Sequence, residues 1–584
     1  MAIKYIITPQ TAAHHYLVKL VFTAEASSHK LTLPVWIPGS YMVREFSKNI
    51  ITLGASQDNQ TIVSRQIDKN NWLLEGLTTG RDVEVSYTVY AYEYGIRTAF
   101  LDAERGYFNP TSLCLSVAGY ENEIHQVEFA DLPTGWQVAC GLTVDENEIF
   151  SAQNYDELID SPFELGTFER LEFSVAGVNH YLILSGTIPP FDRERMISDM
   201  QKICDYQIKL FGGVAPYSGY GFILNLSGEI YTGLEHRNST LLMAPYYAMP
   251  NLNHSNDEDY IKLLGLISHE FFHTWNVKRI KPQVFTPYSL EQENYTKLLW
   301  WFEGVTSYYD DLVLYRSGII TQEKYLGFIT ENLNNVYKFA GVTEQSLANS
   351  SLTSWIKYYR QDENSPNSIV SYYVKGSLVA LCLDLLIREQ SKFSLDDVMH
   401  YLFQQWQQNP VGVGEDEIPV LIKAATGVDL AKFIYLATET TEPLPFKDLL
   451  AKFGLNLTER IAKNHQDSGK YTIQSDLTAA ITPATLDLGA KLDKQALGYL
   501  VKNVYADTPA QKAGLAAGDL IVALNGIKLT NLDKQLAFVT FKEEVIFTVF
   551  RQEQLRSISL KLAPSVANIL SLALADANLL KNWL

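Results

Sequence analysis

The segment His269-Glu270-Phe271-Phe272-His273 constrains this chain more than any other. Histidines four apart lie on one face of an α-helix, one turn from each other, so the pattern demands a helix. Two neutral imidazoles placed there fill two corners of a tetrahedral zinc site. Glu270, beside the first histidine, is positioned to work on water rather than to bind the metal. The flanks favour a helix. Asn256-Asp257-Glu258-Asp259 supplies a cap and N-terminal negative charge, Ile261, Leu264, Phe271 and Trp275 supply apolar faces, and Pro282 stops the run. The alternative is a buried helix with two satisfied histidines, and a third ligand decides between the two.

That ligand lies downstream. Tyr295 to Tyr315 reads as a second helix and contains Trp300-Trp301-Phe302-Glu303-Gly304-Val305-Thr306. A lone carboxylate in such an aromatic surround is costly unless paired or ligated. Glu303 is therefore the expected third ligand, leaving the fourth position of one zinc ion per chain open, as catalytic zinc requires. Glu293 is the rival, but its neighbours in Glu291-Gln292-Glu293-Asn294 are polar and point to solvent. Asp310, seven positions after Glu303 and on nearly the same helix face, is a candidate hydrogen-bond partner for a ligand histidine.

A chain of 584 residues is too long for one core, so several domains are expected. The net charge of -19 argues against nucleic acid or an anionic membrane as partner. No run of 18 uncharged apolar residues is present to span a bilayer. Cys114, Cys140, Cys204 and Cys382 are scattered without metal spacing, which fits a reducing compartment. The N-terminus has no leader-like pattern, and a cytoplasmic location is expected.

Residues 1–165 read as a β-rich domain, with Tyr16 to Phe22, Leu31 to Trp36 and Val83 to Val89 as short β-rich runs. The stretches Trp36 to Tyr41 and Tyr94 to Arg97 read as turns. Residues 166–450 read as an α+β catalytic domain with a helical C-terminal lobe. Within it, Ile197 to Phe211 is helical, Tyr220 to Leu226 a strand, and a strand just before the histidine helix suits the edge of a cleft. Residues 470–564 resemble a bacterial-type PDZ domain, from Thr508-Pro509-Ala510 through Gly514, Gly518 and the hairpin signal Asn525-Gly526. Leu488-Gly489-Ala490 is then the expected carboxylate loop for a peptide C-terminus, with packing against the catalytic domain as the alternative. Residues 565–584 read as an amphipathic helix.

His269 to Arg279 (HEFFHTWNVKR), Glu303 to Tyr309 (EGVTSYY) and Ser371 to Gly376 (SYYVKG) together resemble the glycyl aminopeptidase family of zinc peptidases, and Trp36 to Glu45 (WIPGSYMVRE) is similar to its N-terminal signature. The resemblance implies an N-terminal β domain, a thermolysin-like catalytic domain and a C-terminal PDZ domain. It implies peptide substrates cut at the first bond, with small first residues such as glycine and alanine. In the related aminopeptidase N group a GAMEN strand holds the substrate amine. Thr232-Gly233-Leu234-Glu235-His236 looks like its counterpart, which makes Gly233 and Glu235 substrate-binding, although Thr232 and His236 depart from that motif. The tyrosine before the Lys-Gly pair donates to the oxyanion in those relatives, and Tyr373 matches it, with Tyr372 one position away. The wider group places its glutamate ligand closer to the second histidine; here Glu303 follows His273 by 30 positions. Two other functions remain open: a zinc endopeptidase, and a metal-inert PDZ-containing scaffold that binds peptides.

Overall fold

Alternating apolar runs become strands in the first third of the chain. The computed structural model describes residues 2–253, 258–461, 469, 486–540, 543–564 and 567–584. Among them, Ala2–Gln10, His15–Thr23 and Asp82–Tyr90 pair antiparallel within an eleven-stranded sheet. Asp82–Tyr90 shows the period-two logic directly, burying Val83, Val85, Tyr87 and Val89 on one face. A four-stranded sheet of Ala99–Leu101, Arg105–Phe108, Phe163–Gly166 and Gln137–Cys140 shares the same aromatic core.

The chain then builds a five-stranded sheet. Gly219–Ser227 runs parallel to Val178–Gly186 on one side and to Ser239–Pro245 on the other. A strand covered on both faces must be apolar throughout, and Tyr220 to Leu224 and Leu226 are almost fully buried. The crossover helix Arg193–Leu210 is capped by Asp192, whose carboxylate accepts the Arg195 N–H at 3.0 Å. Thr232–Glu235 pairs antiparallel with Ser239–Pro245 and forms the edge of the sheet. The histidine helix, Glu258–Phe272, packs against that edge strand, with Glu258 and Asp259 in its first turn. Asn256 and Asp257, expected to cap it, lie outside the described residues.

Three expectations about elements need correction. The histidine helix ends at Phe272 rather than running towards Pro282. Beyond it the chain turns tightly, with Lys278 N–H bonded to the His273 carbonyl at 3.0 Å and Val277 at a φ of 134°. The second helix is interrupted, as Leu299–Phe302 and Gly304–Arg316, with Glu303 at the junction. The C-terminal segment is not an amphipathic helix: Ala567–Leu574 is a strand paired with Leu455–Ile461, and only Ala577–Leu580 is helical. Its apolar residues suit either structure, and tertiary partners decided. Asn334 donates to the Leu570 carbonyl at 2.9 Å and accepts the Leu570 N–H at 2.8 Å, holding an extended backbone.

The chain forms two compact units, Met1–Asn294 with Leu402–Gly414, and Tyr295–Tyr401 with Glu415–Leu584. The second combines the helical region with the PDZ domain, which has its own core around Leu488, Val501, Ile521 and Phe547. The whole is a multidomain α+β protein with an N-terminal β-rich domain, a helical catalytic region and a C-terminal PDZ domain. No described helix is long and apolar enough to cross a membrane.

Candidate metal centre and peptide cleft

His269 and His273 converge. Their Nε2 atoms lie 3.1 Å apart. Two nitrogens bound to one zinc at tetrahedral angles sit about 3.3 Å apart, so the pair fits that ion. The Nδ1 of His273 is 2.7 Å from the Asn276 carbonyl oxygen. A carbonyl only accepts, so Nδ1 carries the proton and Nε2 presents its lone pair towards His269. A backbone carbonyl thus orients this histidine, and Asp310 accepts the Asp311 N–H at 2.6 Å. Asn276 precedes Val277, whose positive φ is unusual for a β-branched residue, so the turn aims the carbonyl at a local cost.

The edge strand and the histidine helix bring two carboxylates to the same place. One ligand-capable atom each from His273, Glu270 and Glu235 falls within 4.8 Å of the others. Glu270 is 5% exposed and Glu235 4%. Gly233 lies flat on the Glu270 carboxylate, and a Cβ there would overlap it. Gly39 does the same to Glu235 from the N-terminal β domain. It holds the left-handed position (φ 82°) of the turn Ile37-Pro38-Gly39-Ser40, closed by the Ser40 N–H on the Ile37 carbonyl at 3.1 Å. The stretch read as a plain turn is thus a wall of this pocket, and Arg44 secures it through two bonds to the Ser40 hydroxyl at 3.0 and 2.8 Å. Among the described residues, Oε1 of Glu235 has no hydrogen-bond partner. A buried carboxylate left this way calls for a cation.

Asp160 locks the end of the edge strand. Its carboxylate meets Lys278 at 2.7 Å, His236 Nδ1 at 3.1 Å and Arg237 Nε at 3.1 Å. Burial alone would raise its pKa, but Lys278, His236 and Arg237 overcome that and hold it well below the usual carboxylate range. One carboxylate therefore fixes both the residues following Glu235 and the turn following His273. His236, a departure from the GAMEN pattern, acts here as an anchor.

The extra residues after His273 are also fastened locally. Val35 N–H donates to the Leu290 carbonyl at 2.8 Å, Lys30 pairs with Glu291 at 3.1 Å, and Trp36 packs on Phe285 and Tyr288.

In the second unit, Glu303 is 2% exposed, whereas its rival Glu293 is part-exposed. Tyr372 is fully buried, its pKa raised first by burial and then by Tyr359 and the Glu303 charge. Tyr373 is half-buried, with its hydroxyl 3.3 Å from that of Tyr359. Two residues on, Lys375 is fully buried, its ammonium without a hydrogen-bond partner among the described residues, and burial pushes its pKa down to about 8. Sequence reasoning passed over it as part of a motif.

At Leu488-Gly489-Ala490 the Gly489 N–H donates to the Asp487 carboxylate at 2.9 Å, and Ala490 pairs with Val504. The domain's loop at 503–506 is tied to the helical region: Asn367 donates to the Val504 carbonyl at 2.9 Å and accepts the Ala506 N–H at 2.8 Å.

Family-model matches agree with this layout. The profile of the peptidase M61 N-terminal domain matches residues 4–167, that of M61 glycyl aminopeptidase residues 262–379, and that of a PDZ domain residues 486–562. A solved aminopeptidase N family protein from Idiomarina loihiensis is 36% identical, with a TM-score of 0.94 over 100% of both chains. An M1 zinc metallopeptidase from Deinococcus radiodurans is 13% identical, with a TM-score of 0.48 over 76% of this chain and 95% of that one. The comparison with curated proteins found no match.

Proposed function

Because the chain belongs to the M61 glycyl aminopeptidase family and is a metallopeptidase, we propose that it removes the first residue of peptides, favouring glycine and alanine, with one zinc ion per chain. His269, His273 and Glu303 would hold the metal, a donor set suited to catalytic zinc. When bound, zinc supplies a Lewis acid that polarises the scissile carbonyl and makes water more acidic. Glu270 takes the proton of the attacking water and passes it to the leaving amine. The Tyr373 hydroxyl donates to the oxyanion as charge develops there. Glu235 pairs with the substrate ammonium, so the first carbonyl is the one that reaches Glu270.

The observation that carries this reading is the buried Glu235 oxygen on the sheet edge, which has no hydrogen-bond partner among the described residues and lies close to the Glu270 carboxylate of the histidine helix. A free α-amino group is largely protonated near neutral pH, with an ordinary pKa of about 7.7–8.0. Glu235→Ala should therefore cost free-amine peptides about 30-fold or more in kcat/KM while N-acetylated peptides change little, and zinc content should hold. Equal losses on both substrate types would make Glu235 structural and favour an endopeptidase.

A further inference from the structure

We propose that Arg97 receives the terminal carboxylate of the substrate, so that the cleft is built for di- and tripeptides. The proposal rests on the aminopeptidase reading for the direction in which substrate lies. Arg97 comes from the loop that joins Asp82–Tyr90 to Ala99–Leu101, and that loop is clamped along its length. The Tyr94 hydroxyl donates to the Asn225 side chain on the central parallel strand. The Gly95 N–H donates to the Tyr107 hydroxyl at 3.0 Å, and the Thr98 hydroxyl to the Glu93 carbonyl at 3.1 Å.

From this base the Arg97 guanidinium reaches the edge strand. Nη2 donates to the Gly233 carbonyl at 3.2 Å, and Nη1 lies 3.4 Å from the Thr232 hydroxyl. The Gly233 carbonyl faces the open side of that strand. His236 N–H donates to the Ser239 carbonyl at 3.0 Å, so backbone groups alternate and those of Glu235 and Gly233 point away from the neighbouring strand. Arg97 thus stands in the lane that an extended substrate would occupy. Both its contacts are to neutral oxygens, and no carboxylate pairs with it among the described residues.

Length then selects the ligand. Glu235 marks the substrate's first nitrogen, Gly233 lies against Glu270, and Arg97 sits at Gly233 and Thr232. At about 3.3 Å per residue, the Arg97 contacts lie roughly 7–10 Å along the strand from Glu235. A substrate antiparallel to the strand covers that span between its ammonium and the carboxylate of a di- or tripeptide. By occupying the Gly233 carbonyl, Arg97 also takes the acceptor that the amide of a longer chain would need. A planar guanidinium matches a carboxylate through two parallel bonds.

The test compares Ala-Ala-Ala as free acid with its C-terminal amide. Wild-type protein should prefer the acid by about tenfold or more, mostly through KM, the scale expected of a charge-assisted hydrogen bond. Arg97→Gln should bring the ratio towards one, and Arg97→Lys should keep part of it. Calorimetric binding of the same two peptides to Glu270→Gln protein should give the same order. A wild-type ratio near one, or equal losses on both peptides in Arg97→Gln, overturns the assignment. Cleavage of acetyl-Ala-Ala-Ala as fast as the free peptide strikes the aminopeptidase reading instead, and is read separately from the acid-to-amide ratio.

Discussion

Glu270 and Glu235 are chemically alike and nearly equally buried, yet their surroundings assign them different work. Glu270 lies on the helix beside the converging histidines, under Gly233, while Glu235 lies on the edge strand against Gly39. Glu270→Gln keeps the shape and removes the base, so turnover should fall about 100-fold or more with metal content intact. Full turnover in that variant would end its role as base. Lys375 makes a different prediction. Its folded pKa of about 8 is below the ordinary 10.5, so between those values the unfolded chain binds the extra proton and stability rises with pH. Below about 8 the buried ammonium costs about 3 kcal/mol. Lys375→Met should raise the unfolding temperature at pH 7 and flatten the rise between about pH 8 and 10.5. Unchanged melting curves across that window would show that the ammonium is stabilised in the fold.

Among the described residues the edge strand Thr232–Glu235 has a neighbouring strand on one side only, so its position depends on what holds its ends. Asp160 is the main restraint, since it binds Lys278, His236 and Arg237 together. Removing its charge leaves buried cations uncompensated, and Asp160→Asn should destabilise the protein by about 3–5 kcal/mol in urea titration. The free-amine selectivity should weaken as Glu235 shifts. The sign with pH follows from the depressed pKa of Asp160. Its contribution is present above the ordinary carboxylate range and is lost as pH falls through the folded value. The variant should therefore lose less stability than wild type on acidification, and parallel acid-unfolding curves would contradict the cluster's role.

For the whole molecule, a metal that binds the native state and not the unfolded one adds stability by mass action. Zinc at a hundredfold excess over its Kd should add about 2.7 kcal/mol. Chelation should accordingly lower the unfolding temperature, and readdition should restore it at one ion per chain. His273→Ala should show no such response. If calorimetry of wild type is blind to chelator, the donor set does not hold zinc.

Spacing carried much of this protein in its sequence. The four-residue interval of His269 and His273 requires a helix whatever surrounds it, and alternation along Asp82–Tyr90 requires a half-buried strand, because both follow from local backbone geometry. The motif-bearing segments likewise located the edge strand and the PDZ domain. Position in space was not written that way. Gly39 and Arg97 looked like turn residues because their partners, Glu235 and Gly233, are 196 and 136 positions away. Asp160 carried no motif at all, and its partners Lys278, His236 and Arg237 meet it only after the sheet has formed. The final strand shows the limit most plainly. The apolar residues of Ala567–Leu574 satisfy either period, and the Asn334 side chain and Leu455–Ile461 chose the extended form by supplying its hydrogen bonds.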